Sequence, residues 1–447
     1  MNEPVPQNRL LSLDVFRGIT IAGMVLVNNP GTSPVYWPLD HAEWNGLTPT
    51  DYIFPFFLFI VGVAISISLG KRVAVGVTTS VYTKIFSRAA TIYLLGQAVS
   101  VVPFFSFAST DAPDWLKMAV WLLFTFAILF LLLRNYRVAM ILAGVAVLGI
   151  AAMRIVGYSM AGYDLSTIRI MGVLPRIAVC YLVTSLIFLH TNWKQQLGIS
   201  IVLLLGYWLI MTVIAVPGCD ATTMNDKACN LAAYLDRLII GENHIWRFGK
   251  VYDPEGLLST IPAIVTTISG VLTGTWLVRK NKIETNRGDN EATDLNSSLN
   301  KVSGLFFFGV ILFALGWVWN SFFPFNKSLW TSSYVLVTSG LALFTLGCCY
   351  WLVDIKGYKA WAKPFMIFGA NALALFVFTG FFARMMSSYK VVAADGTRIS
   401  IQGWIIHNVF LPILEPINAS LAYALCFILF WLFLMWLLYR KRIYIKV

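Results

Sequence analysis

The sequence predicts an all-α, polytopic membrane protein, and three observations carry that expectation. Hydrophobic residues make up 58% of the 447 residues and charged residues only 12%. The mean hydropathy is +0.74, which leaves too few polar side chains to clothe a water-soluble surface. Long uncharged runs recur from end to end, each near the ~20 residues that a helix needs to cross hydrocarbon.

Taken in order, the runs lie at about 10–29, 52–71, 84–105, 116–133, 137–156, 172–190 and 197–216, then at about 258–278, 303–322, 332–352, 363–385 and 418–439. They make about twelve spans. The first run carries Asp14 and Arg17 inside its apolar stretch and no small-residue cleavage site follows it, so it is expected to stay as a span rather than leave as a signal peptide. The apolar piece at 404–413 is too short to cross and ends at Pro412, which reads as a re-entrant or interfacial segment.

A net charge of +12 raises a nucleic-acid partner, but the distribution of the charge argues against one. Basic residues cluster in alternate loops, as in Lys71/Arg72/Lys84/Arg88, Arg279/Lys280/Lys282/Arg287 and Arg440/Lys441/Arg442/Lys446. That is the positive-inside pattern, and it predicts both termini in the cytoplasm. Residues 217–257 then form an extracytoplasmic loop, with Leu231, Leu235, Leu238 and Ile239 on one face of a candidate interfacial helix. The stretch 279–302 is polar and free of aromatics, and reads as a flexible cytoplasmic linker between two helical halves of a single transmembrane domain, 1–447.

Four cysteines, Cys180, Cys348, Cys349 and Cys426, fall in spans, where packing is their default role. Cys219 and Cys229 share the outside loop, and their spacing permits a bridge without requiring one. No zinc-type spacing occurs, and no metal is expected.

The chemistry-bearing residues each admit a structural and a functional reading. Asp14 and Arg17 lie three apart on one helical face and, with Arg176, fit a structural polar network between helices. Asn28 ends the first span, where it can turn the chain before Pro30. Trp44 fits an ordinary interfacial aromatic, and Glu255 in YDPEG opens a helix, where the dipole favours a carboxylate. His41 is harder to assign to solvent. It sits among Asp40, Glu43, Trp44 and Asn45 in a short connection forced against the bundle, on the outer side, where an imidazole can serve as base or nucleophile.

The runs RLLSLDVFRGITIAGMVLVNNPG and HAEWNGLTPTDYIFPFFLFIVGVAIS resemble the heparan-alpha-glucosaminide N-acetyltransferase family and its bacterial relatives in the transmembrane acyltransferase superfamily. The resemblance continues through RIMGVLPRIAVCYL, AAYLDRLIIGENH, VYDPEGLLSTIPAI, FNKSLWTSSYVL, VDIKG and GANALALFV, in order along nearly the whole chain. It departs from the lysosomal member in an extra apolar hairpin at about 116–156, a longer connection between Asn28 and His41, and an expected lack of the large lumenal domain.

The resemblance implies acetyl transfer across a membrane, from cytosolic acetyl-CoA to the amine of glucosamine or a glucosaminide on the other side. It gives His41 and Asn28 the catalytic roles, and makes Trp44, Asn45, Asp253 and Glu255 substrate-binding. It also implies a homodimer, with the protein in a bacterial cytoplasmic membrane and its site open to the periplasm or exterior. Two other readings fit the same residues: an O-acyltransferase acting on envelope polysaccharide or peptidoglycan sugar, and a secondary transporter using His41 as a proton relay. The lack of a visible internal repeat weighs against the transporter.

Overall fold

The computed structural model describes residues 10–219, 224–278, 291–393 and 396–445. Fifteen α-helices run in chain order: α1 Leu11–Asn28, α2 Ile53–Val75, α3 Thr79–Val101, α4 Asp114–Leu132, α5 Tyr136–Ile155, α6 Val173–His190, α7 Trp193–Val213, α8 Leu231–Leu235, α9 Thr260–Val278, α10 Glu291–Trp319, α11 Ser332–Cys349, α12 Lys363–Ala370, α13 Ala372–Ser388, α14 Ile401–Ile405 and α15 Pro416–Arg440. Among the described residues, ten helical segments are long and apolar enough to span a bilayer, or eleven if the broken pair α12 and α13 counts as one.

The sequence expectation was about twelve, and the difference lies in α3. It forms as a 23-residue helix where a span is expected, but Thr79, Ser80, Thr83, Lys84, Ser87, Arg88 and Gln97 dilute its apolar character. Among the described residues the strands form two short antiparallel pairs, β1 (Phe105–Thr110) with β2 (Met160–Gly162) and β3 (Lys390–Val392) with β4 (Arg398–Ser400). Of the stretch read as a linker, 279–290 lies outside the described residues and 291–302 opens α10. The piece at 404–413 forms the end of α14 and a π turn, Ile406–Phe410.

The chain divides into two compact units. The first comprises Met1–Ile21, His41–Tyr93 and Ile170–Ala370; the second comprises Ala22–Asp40, Leu94–Arg169 and Asn371–Val447.

In the first unit α2, α9 and α11 are central and α10 is peripheral: 67% of the span in α9 is buried against 22% in α10, whose remaining apolar face suits lipid. Glycines bring α2 and α9 together. A Cβ on Gly62 would collide with the Thr267 carbonyl, one on Gly270 with the Phe59 carbonyl, and one on Gly274 with the Ser66 hydroxyl. Small residues four apart let two backbones approach where hydrophobic driving force between helices is absent. A core of Phe16, Phe59, Val63, Ala342, Leu346 and Val353 fills the space among α1, α2 and α11.

The second unit packs α4 against α5 and anchors buried Lys117 and half-buried Arg384 on the backbone. Lys117 donates to the carbonyls of Phe107 (3.1 Å) and Thr110 (3.0 Å). Arg384 donates to Val99 and Val102 at 2.9 and 3.2 Å, and to Ser100, and so caps the end of α3.

Candidate active site

The site of the first unit is built on the turn that starts α2. Thr48, Pro49 and Asp51 form a capping box before the apolar run, with proline at the first helical position, where its missing N–H costs nothing. Folding back to cap the turn, the Asp51 carboxylate takes Oδ2 bonds from the Thr48 N–H (3.1 Å), the Thr48 hydroxyl (3.0 Å) and the Ala42 N–H (3.2 Å). Oδ1 faces His41 Nδ1 at 2.7 Å. Asp51 is 1% exposed, whereas the His41 side chain is 49% exposed. A buried carboxylate therefore orients an accessible imidazole. In the tautomer that donates Nδ1–H to Asp51 Oδ1, the lone pair of the neutral ring lies on Nε2.

Lys327 completes the group from the loop between α10 and α11. Its Nζ lies 3.0 Å from His41 Nδ1, 3.2 Å from Nε2 and 3.5 Å from Asp51 Oδ1. Burial holds the Lys327 ammonium below the usual lysine range, against the opposing charges of Asp51 and Glu255. The loop is fixed by Asn326, whose Oδ1 accepts from the Leu329 N–H at 2.9 Å, and by the Gly46 N–H donating to Phe325 O at 2.8 Å. Gly46 adopts a φ of 125°, which a side chain would strain, and this turn brings the 41–46 segment onto 325–327.

The neighbouring residues of the HAEWN segment form the wall of the site. The Asn326 amide donates to Asn45 Oδ1 at 3.0 Å, and the Asn45 amide donates to Asn225 Oδ1 at 2.6 Å. Trp44 Nε1 donates to Met224 O at 2.7 Å, and its ring packs edge-on to Tyr252, centroids 5.0 Å apart. The Cys219–Cys229 disulfide closes the segment that carries Met224 and Asn225. Arg237 ties the same segment to the next by donating to Ala228 O (2.9 Å) and Val251 O.

Behind this wall lies a buried charge cluster. Asp236, Asp253 and Glu255 are 1%, 3% and 7% exposed, and Arg176 is fully buried. Asp236 accepts from the Leu257 N–H at 2.8 Å and packs against Gly256, where any Cβ would collide with it. Burial, with the adjacent charge of Asp253, pushes the Asp236 carboxyl up to about 7 despite the Leu257 bond. Arg176 Nη2 donates to Gly256 O at 3.1 Å and to the Ser259 hydroxyl, and the guanidinium stacks over Trp330 at 5.1 Å. The expected interfacial helix is α8 followed by a π turn, Asp236–Ile240. Leu231 is buried while Leu238 and Ile239 are each 64% exposed, because the π turn rotates Asp236 inward and those two outward.

Of the residues singled out in the sequence, His41, Trp44, Asn45, Asp253, Glu255 and Arg176 thus fall in this part of the first unit. Asp14 and Arg17 pair with each other on α1 at 3.2 Å. Asn28 is the exposed last residue of α1 and falls in the second unit, next to the buried Asn29, whose amide donates to Val25 O at 2.8 Å. Sequence reading passed over Asp51, Lys327 and Tyr334. Asp51 was signalled by the Thr-Pro-Thr-Asp cap before an apolar run, and Lys327 by being a lone cation between two spans. Among the described residues, no group of three or more His, Cys, Asp or Glu could hold a metal ion.

Among the described residues, ten or eleven helical segments long and apolar enough to span a bilayer define a multi-pass membrane protein, and its first unit carries a histidine oriented by a buried carboxylate. A family model described as the catalytic region of heparan-alpha-glucosaminide N-acetyltransferase matches residues 9–112, the segment that carries His41 and Asp51. The chain is similar to heparan-alpha-glucosaminide N-acetyltransferase of Homo sapiens, 27% identical over 414 residues that cover 83% of this chain and 52% of that protein. Its similarity to the Mus musculus protein of the same name is 28% over 414 residues, 83% of this chain and 53% of that one. The matched model and the two relatives carry the same name, and the heparan-alpha-glucosaminide N-acetyltransferases are what this chain is similar to. The chain spans about half the length of these relatives.

Proposed function

We propose that the protein is a transmembrane acetyltransferase that moves an acetyl group from cytosolic acetyl-CoA to the amine of glucosamine or a glucosaminide on the opposite face of a bacterial cytoplasmic membrane. The observation that carries this reading is the His41 imidazole bonded to buried Asp51 at 2.7 Å, with the Lys327 ammonium against the same ring. Similarity to the heparan-alpha-glucosaminide N-acetyltransferases suggests the reaction class, and the loop charges support an orientation with the His41 loop outside.

Thioester aminolysis needs a neutral amine and a base to take its proton. The acceptor nitrogen attacks the thioester carbonyl, a C–N bond forms, and the amine proton passes to His41 Nε2. Asp51 balances the imidazolium so formed. Collapse of the tetrahedral intermediate breaks the C–S bond, and the departing thiolate takes a proton from the Lys327 ammonium, which burial makes a readier acid. His41 then returns its proton to Lys327. The sum is an N-acetylated sugar and free CoA. Asn28 is assigned the donor to the oxyanion on the matched motif alone. Direct transfer with both substrates bound is favoured, because holding pantetheine and amine together gains rate from proximity without an acyl-enzyme.

The test is acetyl transfer from labelled acetyl-CoA to glucosamine by the full chain in vesicles, with His41→Ala as the comparison. Product from the parent and none from the folded variant is expected. Accumulation of labelled sugar inside vesicles, with neither product nor acetyl-CoA consumption, would replace the enzyme by a transporter.

A further inference from the structure

Arg176 is fully buried, yet its Nε and Nη1 have no hydrogen-bond partner, so three of the five N–H donors of the guanidinium are unsatisfied. A buried donor left unpaired is costly, and a cluster of them on one charged group implies a partner that the folded chain does not supply. The partner's chemistry follows from the charges around it. Glu255, Asp253 and Asp236 lie close enough to act on the guanidinium, so no further anion is needed to balance its charge. An uncharged oxygen, a carbonyl or a hydroxyl, fits.

Two further orphans lie on the same helix, Thr184 Oγ1 and Ser185 Oγ, and of these Thr184 leaves α6 nearer the side of Arg176. Thr184 Oγ1 is also buried without a partner, with the residue 1% exposed. Eight residues separate it from Arg176, a rise of about 12 Å, and the two side chains leave α6 within roughly a quarter-turn of each other. A single sugar ring does not reach both. An extended chain bearing amide and carbonyl groups does. Arg88 lies over the Tyr181 ring at 5.2 Å midway along α6, and at the last residue of the helix His190 Nε2 meets the Tyr82 hydroxyl at 3.0 Å.

Building on the acetyltransferase reading, we infer that α6 lines the path of the donor: the free edge of Arg176 holds a carbonyl oxygen of the acyl thioester arm near the site, and Thr184 bonds an amide further along it. Arg176 is then a donor-binding residue and not solely a brace between helices.

The test measures acetyl-CoA and glucosamine affinity by calorimetry on the full chain in nanodiscs, in a His41→Ala background that prevents turnover, with Arg176→Lys and Thr184→Val. Arg176→Lys keeps the charge and loses the free edge. Thr184→Val removes an unpaired hydroxyl at constant shape and is expected to fold as well as its background. Acetyl-CoA affinity is expected to fall tenfold or more in the first and threefold or more in the second, with glucosamine affinity unchanged. Unchanged donor affinity in both, or a loss confined to glucosamine, overturns the inference. A loss confined to Arg176→Lys overturns the extended path, and if that variant does not fold, Thr184→Val decides alone. Absence of both acetyl-CoA binding and product in the His41-containing parent is a different result, the failure of the acetyltransferase reading itself.

Discussion

The Tyr334 hydroxyl donates to the backbone carbonyl of Asp51 at 2.6 Å, from a ring with no solvent exposure. This bond ties α11 to the turn that orients His41. Tyr334→Phe is expected to lose about 1 kcal/mol of stability and to lower kcat while leaving both KM values near the parent's, because the hydroxyl is buried and spent on the Asp51 carbonyl. Thermal unfolding with steady-state kinetics checks this; a KM change without a kcat change would place Tyr334 in a binding surface instead.

Asp51→Asn keeps the shape of the turn but turns a donor or a neutral oxygen toward His41 Nδ1. The expected loss is on the order of 10²–10⁴ in kcat, the range by which positioned acid–base groups contribute. Asp51→Ala is expected to do more, since the Thr48 and Ala42 N–H groups also lose their acceptor. Comparing the two by activity and by proteolysis of the 41–52 segment separates orientation of the ring from collapse of the turn.

Burial lowers the Lys327 ammonium, so deprotonation of the proposed proton donor sets an alkaline limb on activity below the usual lysine range. Lys327→Arg, whose guanidinium stays charged at all working pH values, is expected to shift that limb upward or remove it, with a reduced rate at neutral pH. A pH profile of kcat for parent and variant is the measurement. An unchanged limb would assign the titration to another group.

Asp236 binds a proton more tightly folded than unfolded, since its carboxyl is raised from 3.8 to about 7. The sign follows: its protonated form favours the fold, and stability is lost as pH rises from about 4 to about 7, by at most about 1.4 kcal/mol per pH unit. Above about 7 the contribution levels off. Asp236→Asn keeps an acceptor for the Leu257 N–H without the charge, and is expected to flatten that part of the curve. Melting temperatures of both proteins from pH 4.5 to 8.5 check it.

Much of this was legible in the sequence, for reasons particular residues make plain. Apolar runs reported the helices because lipid demands nothing subtler than length and hydropathy, and α3 is the least apolar of the expected spans because its hydroxyls and cations offset its apolar residues. His41 stood out because an imidazole beside two carboxylates in a short loop is uncommon. Its partners did not, because Asp51 is ten residues away and Lys327 is 286, and only the turn at Gly46 and the Asn45–Asn326 bond bring the latter near. The Cys219–Cys229 pairing stayed open in the sequence because spacing permits many geometries; the fold settles it by placing both cysteines at the ends of the segment that receives Trp44 and Asn45.

That disulfide makes a further expectation. Reduction, or Cys229→Ser, is expected to leave the helices intact but to free the Met224–Asn225 segment, raising the acceptor KM several-fold more than the donor KM. Kinetics with and without a membrane-permeant reductant, alongside limited proteolysis between 217 and 230, test it. Equal changes in both constants would mean that the segment does not shape the acceptor side.

The Asp51 carboxylate both starts α2 and steers the imidazole, and this has a bearing on descent. A lineage that discarded Asp51 would forfeit a helix start along with the orientation of His41, so selection for folding alone would preserve one member of the proposed site. Relatives that have kept the architecture and abandoned the reaction should therefore be sought among chains altered at His41 or Lys327, whose side chains begin no helix.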